Sequence, residues 1–323
     1  QLDALNISYD RFIRTTDADH EETSLEFYKK VLENGDIYEG NYNGYYCEAC
    51  EAYKTLSELV DGKCSFHPSL ELKRVAERNY FFRWSKYNGF LKKHLHKTPS
   101  FVQPEARRQE MLSFLEKGLE DIPVTRQNIS WGFKAPNDPS QTIYVWFDAL
   151  INYYTAAKKI GFWEKDTQIV HILGKDNTRW HALLWPAMLE SAGIRLPDTI
   201  LSHSFLSLEG KKISKTLGNV IRPTELITKF GVDAIRYYLL RYGPLLDDAD
   251  LSLKKLAEVY NADLANNLGN LASRVAKLCE NSDFEFSMQK DLTFHSTIAA
   301  ALENFRPDLA LQNFFETVIK QAN

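Results

Sequence analysis

Apolar positions recur along the chain with two different periods. Between Glu21 and Asn34 a helical spacing puts Leu25, Tyr28, Val31 and Leu32 on one face, with Gly35 as the stop and Asp17 to His20 supplying N-cap chemistry. Residues 10–16 are short, extended and partly β-branched, which predicts a strand or its exit. Residues 36–80 are aromatic, cysteine-containing and rich in turns, and residues 141–160 join an aromatic apolar run to a helix. Thr167 to Leu173 reads as a buried strand, Gly174-Lys175-Asp176 as a turn, about 178–192 as a helix closed by Gly193, and 199–208 as another strand. Strand, turn, helix and strand at this spacing make a βαβ unit, and so a parallel α/β sheet. From about residue 251 the pattern turns helical, through Leu253, Leu256, Val259, Tyr260, Leu264, Leu268, Leu271 and Val275. This predicts a helical bundle after an α/β domain.

Composition changes this picture little. With 323 residues, 44% hydrophobic and 25% charged, the chain is globular and long enough for two or three domains. No apolar run reaches the ~18–20 residues that span a bilayer, and Gln1 to Leu5 show neither the basic nor the apolar part of a leader. The first residue is not Met, which points to a fragment. The net charge is −4, yet residues 83–108 hold Arg83, Lys86, Lys92, Lys93, Lys97, Arg107 and Arg108 against Glu105 alone. That excess fits a solvated helix face and a nucleic-acid contact equally well. Neither a dinucleotide fingerprint nor a P-loop is present in the sequence.

Cysteine spacing adds chemistry. Cys47-x-x-Cys50 and Cys64-x-x-His67 are two short ligand pairs, each able to aim both side chains at one ion from a single turn. Three thiolates and an imidazole complete a tetrahedral, closed and therefore structural Zn²⁺ site, one ion per chain. Such clustering suits a reducing compartment, the cytoplasm by default. Cys279, on an apolar helix, is expected to be a small core residue.

Residues 209–219 form a cationic loop with three lysines, two hydroxyls and flanking glycines. Such ammonium groups can stabilise charge growing on a leaving pyrophosphate. Composition alone would make this an ordinary surface loop. The order Lys212-Ile213-Ser214-Lys215-Thr216, however, resembles the lysine signature of class I aminoacyl-tRNA synthetases. Phe12 to Asp17, Gly44 to Cys47, Asn79 to Arg83, Tyr144 to Leu150, His171 to Asp176, Trp185 to Leu189 and Asn270 to Arg274 are similar, in the same order, to the methionyl-tRNA synthetase family.

The resemblance implies a Rossmann-like parallel sheet with an inserted zinc-knuckle connective domain, followed by an all-α anticodon-binding bundle. The implied divisions are 1–37 and 123–208 for the catalytic domain, 38–122 for the insertion, 209–250 for the lysine loop and stem contact, and 251–323 for the start of the anticodon domain. It implies ATP-dependent activation of methionine, with Mg²⁺, and transfer to tRNA(Met), with no membrane partner. Lys212, Lys215 and Arg126 take catalytic positions; Ser214 and Asp176 join the lysines around ATP. Trp146, Ala149, Tyr153 and His181 take the methionine pocket, and Asn270 and Arg274 a position near the anticodon. An apolar aromatic pocket suits an uncharged thioether. Residues 251–323 carry 7 basic and 9 acidic residues, so stacking and hydrogen bonds rather than bulk charge would have to read a tRNA there.

The family's H-x-G-H motif is missing, and Leu150 stands where some members have Pro. The expectation is therefore an internal fragment lacking that region and the end of the anticodon domain. The alternatives are a sister synthetase for another apolar amino acid and a non-catalytic tRNA-binding zinc module.

Overall fold

The computed structural model describes residues 1–50, 52–54, 59–65, 67–127, 129–213, 220–283 and 295–322, with backbone alone at 52 and 212. The chain divides into two compact units, Arg11–Ser202 and a second made of Gln1–Asp10 with His203–Asn323.

In the first unit, α1 (Ala18–Glu33) buries His20, Thr23, Ser24, Phe27, Tyr28 and Val31. These positions recur at three- and four-residue steps, one face of a helix. Gly35, at φ 74°, ends it in a conformation that a side chain would strain. A long antiparallel pair follows, β1 (Ile37–Cys47) against the later strand Lys73–Phe82 in unbroken register from Ile37↔Phe82 to Tyr46↔Lys73. Between them lie β2 (Ala52–Lys54), which pairs with the end of β1, and the hairpin of β3 (Leu59–Val60) and β4 (Lys63–Cys64). Asp61 and Gly62 both adopt positive φ in that hairpin, as a two-residue primed turn requires. The Lys73–Phe82 strand is β5.

The rest of the unit runs α2 (Asn88–Lys97), β6 (Val102–Gln103), α3 (Glu105–Glu116), β7 (Ile122–Pro123), β8 (Thr125–Arg126), β9 (Lys134–Ala135), β10 (Asp138–Ile143), α4 (Val145–Lys158) and β11 (Val170–Gly174). A wide π-helical turn, Trp180–Leu184, then opens α5 (Trp185–Ser191) and leads to β12 (Thr199–His203). β12 lies between β11 and β6 and pairs with β6 in parallel, Ile200↔Val102 and Leu201↔Gln103. One core, including Phe27, Phe82, Leu91, Leu115, Ile151 and Trp185, joins these layers.

In the second unit, β13 (Leu206–Leu208) pairs antiparallel with β14 (Lys211–Lys212) and parallel with β15 (Ala249–Leu251). α6 (Pro223–Phe230), α7 (Val232–Tyr242) and α8 (Leu253–Val259) pack Leu226, Ile235, Tyr238 and Leu256 against this small sheet. A π-helical stretch, Tyr260–Gly269, leads into α9 (Asn270–Glu280). α10 (Ser296–Glu303) and α11 (Pro307–Asn313) form a separate contact through Ile298, Ala301 and Ala310.

Several expectations change here. Residues 10–16 are not a strand; Asp17 folds back instead, its carboxylate accepting from the Arg14 amide at 3.1 Å and its amide donating to the Arg14 carbonyl. A β-branched segment becomes a strand only where a neighbour satisfies its backbone groups. The single strand expected over 199–208 is two strands in different units. Cys279 is exposed rather than core, on a helix in which no residue is buried. In the basic stretch, Lys86, Lys92, Arg107 and Arg108 each face a carboxylate of this chain, Asp36, Glu116, Glu110 and Glu105 in turn. Much of that local charge is therefore neutralised in place.

Candidate active site and metal centre

The aromatic run after β10 does not continue as a strand. Tyr144 keeps extended backbone and N-caps α4, so Trp146 already sits in the first helical turn. That register matters, because Trp146, Ala149 and Tyr153 then fall at i, i+3 and i+7 on one face of α4. The π-helical turn faces them. The indole of Trp146 stacks on Trp180 at 5.0 Å and 16°, and Tyr153 donates its hydroxyl to Nε2 of His181 at 2.8 Å. His181 Nδ1 lies 2.9 Å from the carbonyl of Asn177. A carbonyl only accepts, so Nδ1 carries the proton and Nε2 is free to accept from Tyr153.

Burial keeps this ring neutral by pushing the His181 pKa down, against the opposing pull of the Asn177 carbonyl. Beneath Tyr153, with ring centroids 4.2 Å apart, His171 is pushed down to about 3 by burial and then by His181. Trp185 donates to His171 Nε2 at 3.3 Å. Both histidines hold folded-state pKa values below the ordinary 6.5, so the stability they contribute as neutral rings is present above about pH 6.5 and is lost as the pH falls towards 3. Trp180 also borders a cavity of about 320 Å³ lined by Tyr42, Tyr53, Lys54, Trp84 and Arg179 among others.

The structure thus brings four of the expected pocket residues together. Trp180 and Asn177 complete the group, and nothing in their sequence context singles them out beyond their nearness to His181. Asp176 is exposed in the short turn Lys175–Asn177.

Arg126 occupies a different setting. Its guanidinium meets both carboxylate oxygens of Glu77 at 3.0 and 3.1 Å and lies over the rings of Tyr46 and Tyr53 at 4.2 and 5.1 Å. Tyr53 also donates to Glu77 at 3.0 Å. Burial opposes ionisation of Glu77, but these donors outweigh it and hold the carboxyl below its usual range. Among the expected lysine-loop residues, Lys212 ends β14 opposite Ser207, while Ser214 and Lys215 lie outside the described residues. Asn270 and Arg274 share one exposed side of α9.

The metal-ligating residues converge from two local turns. Cys47 closes β1, Cys50 follows in the next turn, Cys64 closes β4, and the His67 amide donates to the Cys64 carbonyl at 3.2 Å. Their four donor atoms lie within 4.8 Å of one another, with Cys50 Sγ 3.5 Å from Cys64 Sγ and 3.2 Å from His67 Nδ1. Donors about 2.3 Å from a tetrahedral ion would stand about 3.8 Å apart, so the cluster needs only a small relaxation to take one. None of the cysteines is in a disulfide. Burial pushes the Cys50 thiol up to about 12, with Cys64 adding to the shift, so a cation would be needed to hold this cluster as thiolates. The donor set is compatible with zinc.

Parallel β12–β6 pairing, a cluster of three cysteines and a histidine, and a following helical region fit a class I tRNA synthetase. The family described as tRNA synthetases class I (M) matches residues 1–74 and 55–276. The chain belongs to that family, the methionyl branch of the class. It is 48% identical over 284 residues, 85% of its length, to a methionine–tRNA ligase of Caldanaerobacter subterraneus, of which it covers 44%. It is 42% identical over 306 residues to the chloroplastic/mitochondrial enzyme of Arabidopsis thaliana, covering 92% of this chain and 48% of that one. It is similar in structure to Mycobacterium tuberculosis methionyl-tRNA synthetase solved with methionyl-adenylate, with TM-score 0.85 and 39% identity over 98% of this chain and 66% of the other. The chain spans about half the length of these curated relatives. Among the described residues no helix is long and apolar enough to cross a membrane.

Proposed function

We propose that the protein of which this chain forms part activates methionine with ATP and transfers it to tRNA(Met). The observation that carries this reading is the α4 face, Trp146, Ala149 and Tyr153, set against Trp180 and the neutral, hydrogen-bonded His181. It is supported by the methionyl-adenylate held by the similar M. tuberculosis enzyme. A polarisable thioether gains from aromatic faces, and Tyr153 and His181 satisfy each other, while the buried Trp146 Nε1 is left without a hydrogen-bond partner among the described residues.

In this reading a carboxylate oxygen of the amino acid attacks the α-phosphorus of ATP, a new P–O bond forms as the bond from that phosphorus to the α,β-bridging oxygen breaks, and pyrophosphate leaves with that oxygen and the bond's electron pair. The protein's part is positioning and charge stabilisation. Lys212, Ser214 and Lys215 take the triphosphate, Asp176 the adenosine or amino-acid end, and Arg126 the developing charge. Mg²⁺ would neutralise phosphate charge. Cys47, Cys50, Cys64 and His67 would hold one structural Zn²⁺, and Asn270 and Arg274 would face the anticodon. The cytoplasm, where thiols stay reduced, is the compartment.

Amino-acid-dependent ATP–pyrophosphate exchange on the intact gene product tests this. Exchange with methionine should exceed that with leucine or isoleucine by at least a hundredfold; equal rates would favour a sister synthetase, and none with any amino acid a non-catalytic module. Within that assay, His181→Leu removes the acceptor of the Tyr153 hydroxyl at a buried site. We expect the KM for methionine to rise about tenfold, equivalent to ~1.4 kcal/mol, with the KM for ATP within twofold of the parent. Unchanged methionine kinetics would remove His181 from the pocket.

A further inference from the structure

On the side of α4 away from the pocket, four side chains make a closed network with α1. His20 is fully buried; its Nε2 lies 3.0 Å from Asp148 Oδ1 and its Nδ1 3.1 Å from the Thr155 hydroxyl. Ser24, one turn further along α1, donates to the same Asp148 oxygen at 2.9 Å and lies 3.2 Å from His20 Nε2. The Thr155 hydroxyl donates in turn to the Ile151 carbonyl at 3.1 Å. Apolar residues could join two packed helices as well or better. A fully satisfied polar network in that place costs desolvation and returns a unique geometry.

The geometry it defines is rotation. Asp148 and Thr155 are two turns apart, so both point the same way from the axis. Trp146, Ala149 and Tyr153 are centred roughly 145° round the helix. Holding α4 at two points, two turns apart, from a single imidazole fixes its roll as well as its separation from α1. A roll of about 20° would move atoms about 6 Å from the axis by roughly 2 Å. That displacement would break the 2.8 Å Tyr153–His181 hydrogen bond and unstack Trp146 from Trp180.

We infer that the clamp of His20 and Ser24 on Asp148 and Thr155 sets the roll of α4 and so presents Trp146, Ala149 and Tyr153 in register with Trp180 and His181. His20 and Asp148 are positioning residues, since they act through α4. Their effect on amino-acid binding rests on the methionine reading above, while their effect on the indole stack does not.

The test uses the intact gene product. Near-ultraviolet circular dichroism, with Trp146→Phe as the blank, isolates the signal of the Trp146–Trp180 stack. Asp148→Asn and His20→Leu should each lose at least half of it with the far-ultraviolet spectrum unchanged, and His20→Gln, which keeps a donor, should recover part. In exchange assays Asp148→Asn should raise the methionine KM fivefold or more and leave the ATP KM within twofold. Full retention of the stack signal in both variants overturns the inference, as does a matched rise in both KM values. If the parent shows no methionine dependence, the functional reading falls and the stack signal alone decides the clamp. If a variant loses its far-ultraviolet spectrum, Ser24→Ala supplies the same comparison. A smaller change of the same sign is expected there, and no change overturns the clamp.

Discussion

Cys47→Ala is expected to leave the knuckle without metal and to unfold the β3–β4 hairpin while the core of Arg11–Ser202 stays folded. Among the described residues from 47 to 70, only Cys47, Lys54 and Cys64 are buried. These described residues supply no apolar core that could hold the β3–β4 hairpin without a bound ion. Structural zinc contributes on the order of 10–16 kcal/mol to such small sites, far more than a two-stranded hairpin supplies by itself. The effect should reach beyond the knuckle. The end of β1 and β2 carry Tyr46 and Tyr53, whose rings hold the Arg126 guanidinium. Arg126 should therefore become mobile although its partner Glu77 lies on the long β5 strand. Metal analysis should find about one zinc per parent chain and less than a tenth of that in the variant. Limited proteolysis should open new sites within 48–70. Full zinc in the variant, or a knuckle that resists protease without metal, would refute this account.

Asp36→Ala should be the most damaging single change within the first unit's polar interior, costing about 3 kcal/mol. Asp36 is buried just before β1 and accepts from Lys86 Nζ at 2.6 Å, Tyr87 Oη at 2.6 Å and Ser191 Oγ at 2.8 Å. It links three separate segments: the turn after α1, the residues before α2, and the end of α5. Removing the carboxylate strands two buried hydroxyls; Lys86 is half-exposed and recovers water, so its loss counts for less. Burial alone would raise the Asp36 pKa, but Lys86, Tyr87 and Ser191 outweigh it and hold the carboxyl below its usual value. A depressed carboxyl stabilises the fold above its unfolded-state pKa, and that stabilisation is lost as the pH falls through the folded value. The parent should thus lose stability on acidification, and the variant should lose less. Urea titrations at pH 7 and pH 3.5 check both; an equal loss in parent and variant would show that Asp36 is not the group responsible.

Legibility in the sequence followed range. The knuckle could be read because its ligands come in pairs with two residues between them, and local turns suffice to aim each pair. The α1 face, the βαβ order and the helical region after residue 251 were likewise local periodicities. The pocket was readable as a set of residues only through resemblance. Its geometry depends on where the strand β10 gives way to helix, one residue before Val145, and no propensity marks that point within an aromatic run.

What the sequence determined by itself, then, is which short segments form helices and turns and which four donors can share an ion, because those outcomes depend on neighbours within a few positions. Tertiary structure alone decided the rest. It gave residues 10–16 no neighbouring strand to pair with, and it exposed Cys279 on an unburied helix. It also brought His20 to Asp148 across 128 positions of chain and closed Arg126 onto Glu77. Hydrogen bonds and ion pairs act over about 3 Å in space and carry no signature along the sequence, so only the packing of whole elements can reveal them.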